Sequence, residues 1–97
     1  MSDADKAVAR VDIWLWRARF FKTRAIATDH VARKGVRLTR ANQTRKTDKP
    51  GLRVGPGDIL TFSKAGNLES IEILDIGTRR GPASEAQALY RRLEQDT

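Results

Sequence analysis

The residues of this chain that could do chemistry are nearly all cations. Arg10 to Ala25 reads RVDIWLWRARFFKTRA, in which Arg10, Arg17, Arg19, Lys22 and Arg24 stand among Trp14, Trp16, Phe20 and Phe21. Guanidinium and ammonium groups at such density grip phosphates, and rings between them either stack on bases or fill a core. The groups an enzyme needs are scarce. Catalysis by side chains calls for a nucleophile, a general base or a metal, together with neighbours that tune it. The chain has no cysteine and a single histidine, His30, so thiolate chemistry, disulfides and cysteine-based zinc sites are excluded. His30 falls on the half-apolar face of an expected helix and reads as a hydrogen-bonded structural residue. Glu69 and Glu72 lie near alternating positions of an expected strand and read as solvent-facing. The glycines of RVGPGD lead from one strand into another, whereas a phosphate-binding loop leads into a helix. No catalytic residue, metal ligand or cofactor site is expected, so the chain reads as a binding protein and not an enzyme.

The charge is unevenly spread. Residues 10–53 carry 13 basic and 3 acidic side chains, a net of +10, while the rest of the 97-residue chain carries 6 basic and 9 acidic ones. Segregation of this kind makes a directed field able to hold a polyanion, and mutual repulsion among so many like charges calls for a partner that offsets it. Nucleic acid is the expected partner. The basic region is broken by turn and strand signals and does not run as one amphipathic helix, so no membrane partner is expected. The opening MSDADKAVAR is polar, and no window approaches the roughly 18 apolar residues of a membrane span; the expected location is the cytoplasm.

Short elements of one small domain must position these cations. Residues 1–8 are polar and read as a flexible tail. Asp12 is the expected N-cap of a first helix, with apolar residues at 13, 16 and 20 and at 14, 18 and 21, and with Arg17 and Arg19 on its flanks. Most of its rings belong in a core, and Trp16 or Phe21 is best placed for partial exposure. Thr23 caps a second helix that Gly35 terminates, with Arg33 and Lys34 at its negative end. The period then changes to two. Val36 and Leu38 alternate with Arg37 and Thr39, RANQTRKTDKPG reads as a polar basic loop, and Leu52 and Val54 resume an extended segment. GPGD at 55–58 is a turn, residues 59–62 and 71–76 are strands joined through KAGN, and the pair Ile73-Leu74 suggests a bulge. Gly81-Pro82 opens a last helix with Ala83, Ala86, Leu89, Tyr90 and Leu93 on one face.

The segments RVDIWLWRARFFKTRAIA, VARKGVRL and KPGLRVGPGDIL together resemble the alpha-L RNA-binding domain of bacterial small-subunit ribosomal protein S-four, in the stand-alone form of the fifteen-kilodalton heat-shock protein family. The likeness rests on Arg10, Asp12 and Leu15, on Lys22, Thr23, Arg24 and Ala27, on Gly35 and Val36, and on Lys49-Pro50, Val54 and Gly57-Asp58. The tail RRGPASEAQALY resembles that family's C-terminal extension. One stretch departs from the pattern. TRANQTRKTD separates Leu38 from Lys49-Pro50 and is a few residues longer than the family's usual turn, so the contacts of Arg40, Arg45 and Lys46 do not follow from the resemblance.

The resemblance implies an α+β fold, with two short helices packed on a small, mostly antiparallel sheet and a C-terminal helix added. It implies an alpha-L domain over residues 9–63 and an extension of strand and helix over 64–97. It places a basic RNA-binding face around Arg10, Lys22, Thr23, Arg24 and the Lys34 to Arg37 turn. Joined to the charge pattern, it makes Arg10, Arg17, Arg19, Lys22, Thr23, Arg24, Arg33, Lys34, Arg37, Arg40, Arg45, Lys46 and Lys49 the candidate RNA-binding residues. The function it implies is non-enzymatic binding of structured RNA, ribosomal RNA or tRNA, on the large ribosomal subunit in rescue or recycling of stalled translation complexes as part of a stress response. An accessory subunit of an rRNA or tRNA modification enzyme and a double-stranded DNA-binding protein are the alternatives. A monomer is expected.

Overall fold

The two-residue period after Gly35 becomes a five-stranded antiparallel sheet. The computed structural model describes residues 7–93, so most of the expected flexible tail lies outside the described residues. Its strands are β2 (Val36–Arg40), β3 (Gln43–Thr47), β5 (Ile59–Lys64), β6 (Asn67–Ile73) and β7 (Tyr90–Arg92), ordered β3-β2-β5-β6-β7. A separate two-stranded pair joins β1 (Ala9–Arg10) to β4 (Arg53–Val54). Helices α1 (Val11–Arg17) and α2 (Arg24–Lys34) precede the sheet in sequence, and the short α3 (Ala83–Gln87) leads into β7. The mixed α+β class with two short helices on a small antiparallel sheet is as expected from the sequence.

The basic loop expected at 40–51 is in large part a hairpin. Ala41 and Asn42 sit at φ 52° and 64°, the left-handed pair that a two-residue type I′ turn requires. β3 escapes sequence reading because it is an edge strand with polar side chains throughout, nearly all exposed, and apolar alternation appears only where one face is buried. The next hairpin repeats the device, with Ala65 and Gly66 at φ 51° and 81° between β5 and β6.

The C-terminal helix is shorter than its apolar spacing suggests. α3 ends at Gln87, and Tyr90–Arg92 forms β7, paired with β6 through Ile73↔Tyr90, Glu72↔Arg91 and Ile71↔Arg92. Tertiary partners override the helical spacing. The Tyr90 ring lies 4.7 Å from that of Phe20, and Arg91 and Arg92 close ion pairs with Glu72 and Glu69. Those two glutamates lie on opposite faces of β6 and are half-buried under these partners, where the sequence suggests free, solvent-facing carboxylates. At Ile73-Leu74 regular pairing stops. The N–H groups of Leu74 and Asp75 both donate to Leu89 O, at 2.8 and 3.2 Å, and Leu74 turns outward.

Helix α1 starts one residue before the expected cap. Arg10 holds the N-cap position without a side-chain cap bond, and Asp12 is buried in the first turn. Its C-terminus is a Schellman closure, with Phe20 N–H donating to Leu15 O and Arg19 N–H to Trp16 O, both at 3.0 Å. Arg19 occupies the left-handed position at φ 67°, where glycine is usual. Phe20 and Phe21 therefore lie beyond the helix. Phe20 packs edge-on to Phe62 at 5.2 Å and tilted to Trp14 at 6.2 Å. Trp14, Leu15, Phe20, Phe21, Val31, Leu60, Phe62, Ile71 and Ile73 share one core between the helices and the sheet, with Trp16 and Tyr90 as half-buried rings at its margin.

Candidate nucleic-acid interface

Thr23 caps α2 as the sequence suggests. Its backbone is extended at φ −134°, and Oγ1 accepts from Ile26 N–H at 3.0 Å. Lys22, Thr23 and Arg24 are exposed around this helix start, where unpaired N–H groups and the helix dipole favour an anion. The Arg24 guanidinium lies over the Trp16 ring, 5.9 Å from its centroid, which orients the charge beside the helix end.

The 11 residues of α2 span about 16 Å, and a second group of cations gathers at the far end. Gly35, at φ 76°, ends the helix, and a Cβ there would come within 3.0 Å of both Lys46 Cε and Thr47 O. Glycine is thus required for β3 to close against the end of α2. This approach brings exposed Lys34, Arg37 and Lys46 into one neighbourhood, with Arg37 directly opposite Lys46 in the hairpin register. Arg45 pairs with Leu38 and projects on the other face of the hairpin, towards Lys49. Arg53 lies opposite Arg10 in the β1–β4 pair and is also exposed. It is absent from the sequence-derived candidates, although its place within the basic segment marks it.

Other candidate arginines are occupied inside the protein. Arg17 Nη1 donates to Ile76 O and Gly77 O at 3.4 and 3.1 Å, and its Nε is buried. Arg19 Nε donates to Gly81 O at 2.6 Å. Trp14 Nε1 donates to Asp75 O at 2.9 Å, and Arg80 Nε donates back to Trp16 O at 3.1 Å. These bonds clasp residues 75–81 around α1 and tie Arg17 and Arg19 into the fold, with Arg19 still exposed. Arg40 is likewise held, both arms closing on Asp58 at 2.9 and 2.8 Å. Asp58 Oδ2 also accepts from Gly55 N–H at 3.0 Å, which ties the hairpin to the GPGD turn. Arg33 pairs with Asp29 one turn back at 3.0 Å, but both are well exposed, and such a pair yields readily to a phosphate.

Arg10 is half committed. Its Nε and Nη2 reach the two oxygens of Asp12 at 3.1 and 2.9 Å, while nearly half of its side chain stays exposed. Burial alone would raise the Asp12 carboxyl, but hydrogen bonds from Arg10, Thr28 and the Ile13 N–H outweigh it and hold the group below the ordinary aspartate range. His30 departs from the hydrogen-bonded role suggested by the sequence. Its ring packs on Phe21 at 4.8 Å, and its buried Nε2 has no hydrogen-bond partner among the described residues. Burial, reinforced by the charge of Lys34, lowers its pKa despite the opposing pull of Asp29.

Among the described residues no helix is long and apolar enough to cross a membrane, and no three histidine, cysteine or acidic side chains gather as a metal site. Exposed cations thus stand at both ends of α2 and on the β2–β3 hairpin.

No protein-family model matches the chain. It is similar to the heat shock protein 15 homolog of Haemophilus influenzae, at 37% identity over 94% of this chain and 65% of that one. It is also similar to heat shock protein 15 of Escherichia coli K12, at 32% identity over 93% of this chain and 64% of the other. The chain therefore spans just under two thirds of the length of the curated relatives it matches. The trimeric structure of Vibrio cholerae heat shock protein 15 superposes with a TM-score of 0.77 at 36% identity, covering 90% of this chain and 83% of that one. With that fold, that identity and that coverage, the chain belongs to the heat shock protein 15 family.

Proposed function

We propose that this protein is a non-enzymatic RNA-binding protein that holds structured ribosomal RNA on the large ribosomal subunit, in rescue or recycling of stalled translation complexes. The observation that carries this reading is the division of labour among its cations. Half-buried Arg17 is hydrogen-bonded to backbone carbonyls, and Arg19 and Arg40, though exposed, are tethered to Gly81 O and Asp58, whereas Lys22, Arg24, Lys34, Arg37, Arg45, Lys46, Lys49 and Arg53 are exposed along α2 and the following strands. Exposed cations with no acidic partner among the described residues suit a phosphate backbone, with the capped start of α2 adding a directed dipole. The function implied by the family resemblance supplies the ribosomal target. Residues 9–63 would form the RNA-binding unit and residues 64–97 its extension, although β5 and β6 are neighbours in one sheet across that boundary.

The trimeric V. cholerae relative argues against the monomer expected from the sequence, and we take self-association as the working state. Sedimentation velocity at micromolar concentration tests it, and a single monomeric species would restore the earlier expectation.

Crosslinking in cells followed by sequencing of the bound RNA tests the function directly. Enrichment of a discrete large-subunit rRNA site is the expected result. Preferential recovery of DNA, or of RNA without any ribosomal enrichment, would overturn the proposal.

A further inference from the structure

The β2–β3 hairpin and the Lys49 to Leu52 turn enclose a groove of about 490 Å³, within the roughly 300–1,000 Å³ typical of ligand pockets. Leu38 and Leu52 form its apolar floor, exposed Arg45 and Lys49 stand around it, and no acidic side chain lines it among the described residues. The register explains the arrangement. Arg45 lies opposite Leu38 and so projects on the core side of the sheet; it nonetheless stays exposed, because β3 pairs with β2 alone at the sheet edge. The opposite wall is anchored. Leu52 N–H donates to Lys49 O at 3.1 Å, Leu52 O accepts from Val11 N–H at 2.7 Å, and Pro50 O accepts from Asp12 N–H at 3.3 Å. Arg40, locked on Asp58, fixes the near end of the hairpin.

We propose that this groove takes one unstacked nucleotide at the margin of a structured RNA, with its base against Leu38 and Leu52 and its flanking phosphates on Arg45 and Lys49. The inference rests on the RNA-binding reading above and adds a site to it. Cations alone would serve a duplex backbone equally well. The apolar floor between them sets this groove apart, since a planar base covers it and a paired, stacked base cannot enter. An acidic peptide would answer the charge but leave the floor without an apolar partner.

The test compares three labelled RNAs at one fixed salt concentration: a blunt stem-loop, the same stem-loop with a short single-stranded uridine extension, and the same with an abasic extension of equal phosphate count. The uridine extension should tighten binding about tenfold, the scale of covering the apolar floor with one base, and the abasic extension, which keeps the phosphates and lacks the base, should give little of that gain. The double variant Arg45→Ala/Lys49→Ala, altered only at exposed positions, should lose the gain. Lys22→Ala/Arg24→Ala should weaken all three RNAs together and keep it. Equal gains from the uridine and abasic extensions would overturn the nucleotide site. So would a blunt stem-loop bound as tightly as the extended one, although RNA binding itself would then stand. Failure of all three RNAs to bind would overturn the RNA-binding reading and this site with it. Displacement of the uridine extension by a polyglutamate peptide as effectively as by free oligouridine would reassign the groove to a protein partner.

Discussion

The Thr28 hydroxyl on α2 donates to Oδ2 of Asp12 on α1 at 2.7 Å, and through it the buried carboxylate couples the two helices that lead into the cationic face. Arg10 closes on the same carboxylate from the β1 side. Removing the acid would leave the Arg10 guanidinium and the Ile13 N–H short of a partner, while the Thr28 hydroxyl would keep Arg24 O, so Asp12→Ala should cost about 1 to 3 kcal/mol of stability. The pH dependence has a definite sign. Since the folded carboxyl is held below its ordinary value, its contribution is complete above the unfolded aspartate pKa near about 4 and is lost as pH falls through the lower folded value. Melts across this acid range should show wild type losing more stability than Asp12→Asn does.

Arg17 and Arg24, seven positions apart in one basic segment, should behave oppositely. Arg17→Ala removes the bonds to Ile76 O and Gly77 O and should lower stability by about 1 to 3 kcal/mol, with RNA binding reduced only through the unfolded fraction. Arg24→Ala should melt like wild type and weaken RNA binding by about 1 to 3 kcal/mol, the scale of a charge-assisted hydrogen bond. Thermal melts and RNA titrations on both variants check this, and an Arg24→Ala protein that unfolds early would contradict it.

Leu15 is fully buried between α1 and the sheet. Leu15→Ala should cost about 2 to 5 kcal/mol by opening a cavity, again with no direct effect on RNA. Chemical denaturation measures the first effect. Titration below the unfolding transition measures the second.

The turn at Ala41-Asn42 carries avoidable strain. Both residues sit in the left-handed region, which costs a residue with a Cβ about 1 to 2 kcal/mol, asparagine less than most. Replacing the pair with Asn-Gly, the preferred type I′ sequence, should raise the denaturation midpoint by an amount equivalent to about 1 kcal/mol. An unchanged or lower midpoint would mean that the hairpin contributes nothing to the folding equilibrium.

If the exposed cations act through phosphates, affinity should fall steeply with salt. Neutralising about six phosphates corresponds to a loss of roughly a thousandfold between about 50 and 200 mM salt. Titrations over that range should give a linear slope of log affinity against log salt, and Lys22→Ala should reduce that slope by about 1. A flat response would exclude the phosphate mechanism.

Local chemistry made much of this protein legible in its sequence. Thr23 caps α2 through a bond to an N–H three residues on, and Gly35 ends the helix by adopting a positive φ. Both signals act within one helical turn, so residue type and position suffice to place them. The concentration of cations between Arg10 and Arg53 is a matter of composition and needs no fold to be seen. The family likeness adds the α+β class, because its glycines, cap and apolar positions recur at fixed spacings.

Tertiary structure decided which of those cations are engaged within the protein. Arg17 and Arg19 are engaged by carbonyls about sixty residues away along the chain, and Arg40 by Asp58 of the GPGD turn; no local spacing encodes such partners. The same holds for β7. Ala86, Leu89, Tyr90 and Leu93 have the spacing of a helix face, yet Tyr90 is drawn against Phe20 and its neighbours against Glu69 and Glu72. A strand edge and an aromatic core offered better burial than another turn of helix. β3 stayed hidden for the complementary reason. Its residues are polar on both faces and nearly all exposed, and only pairing with β2 makes it a strand.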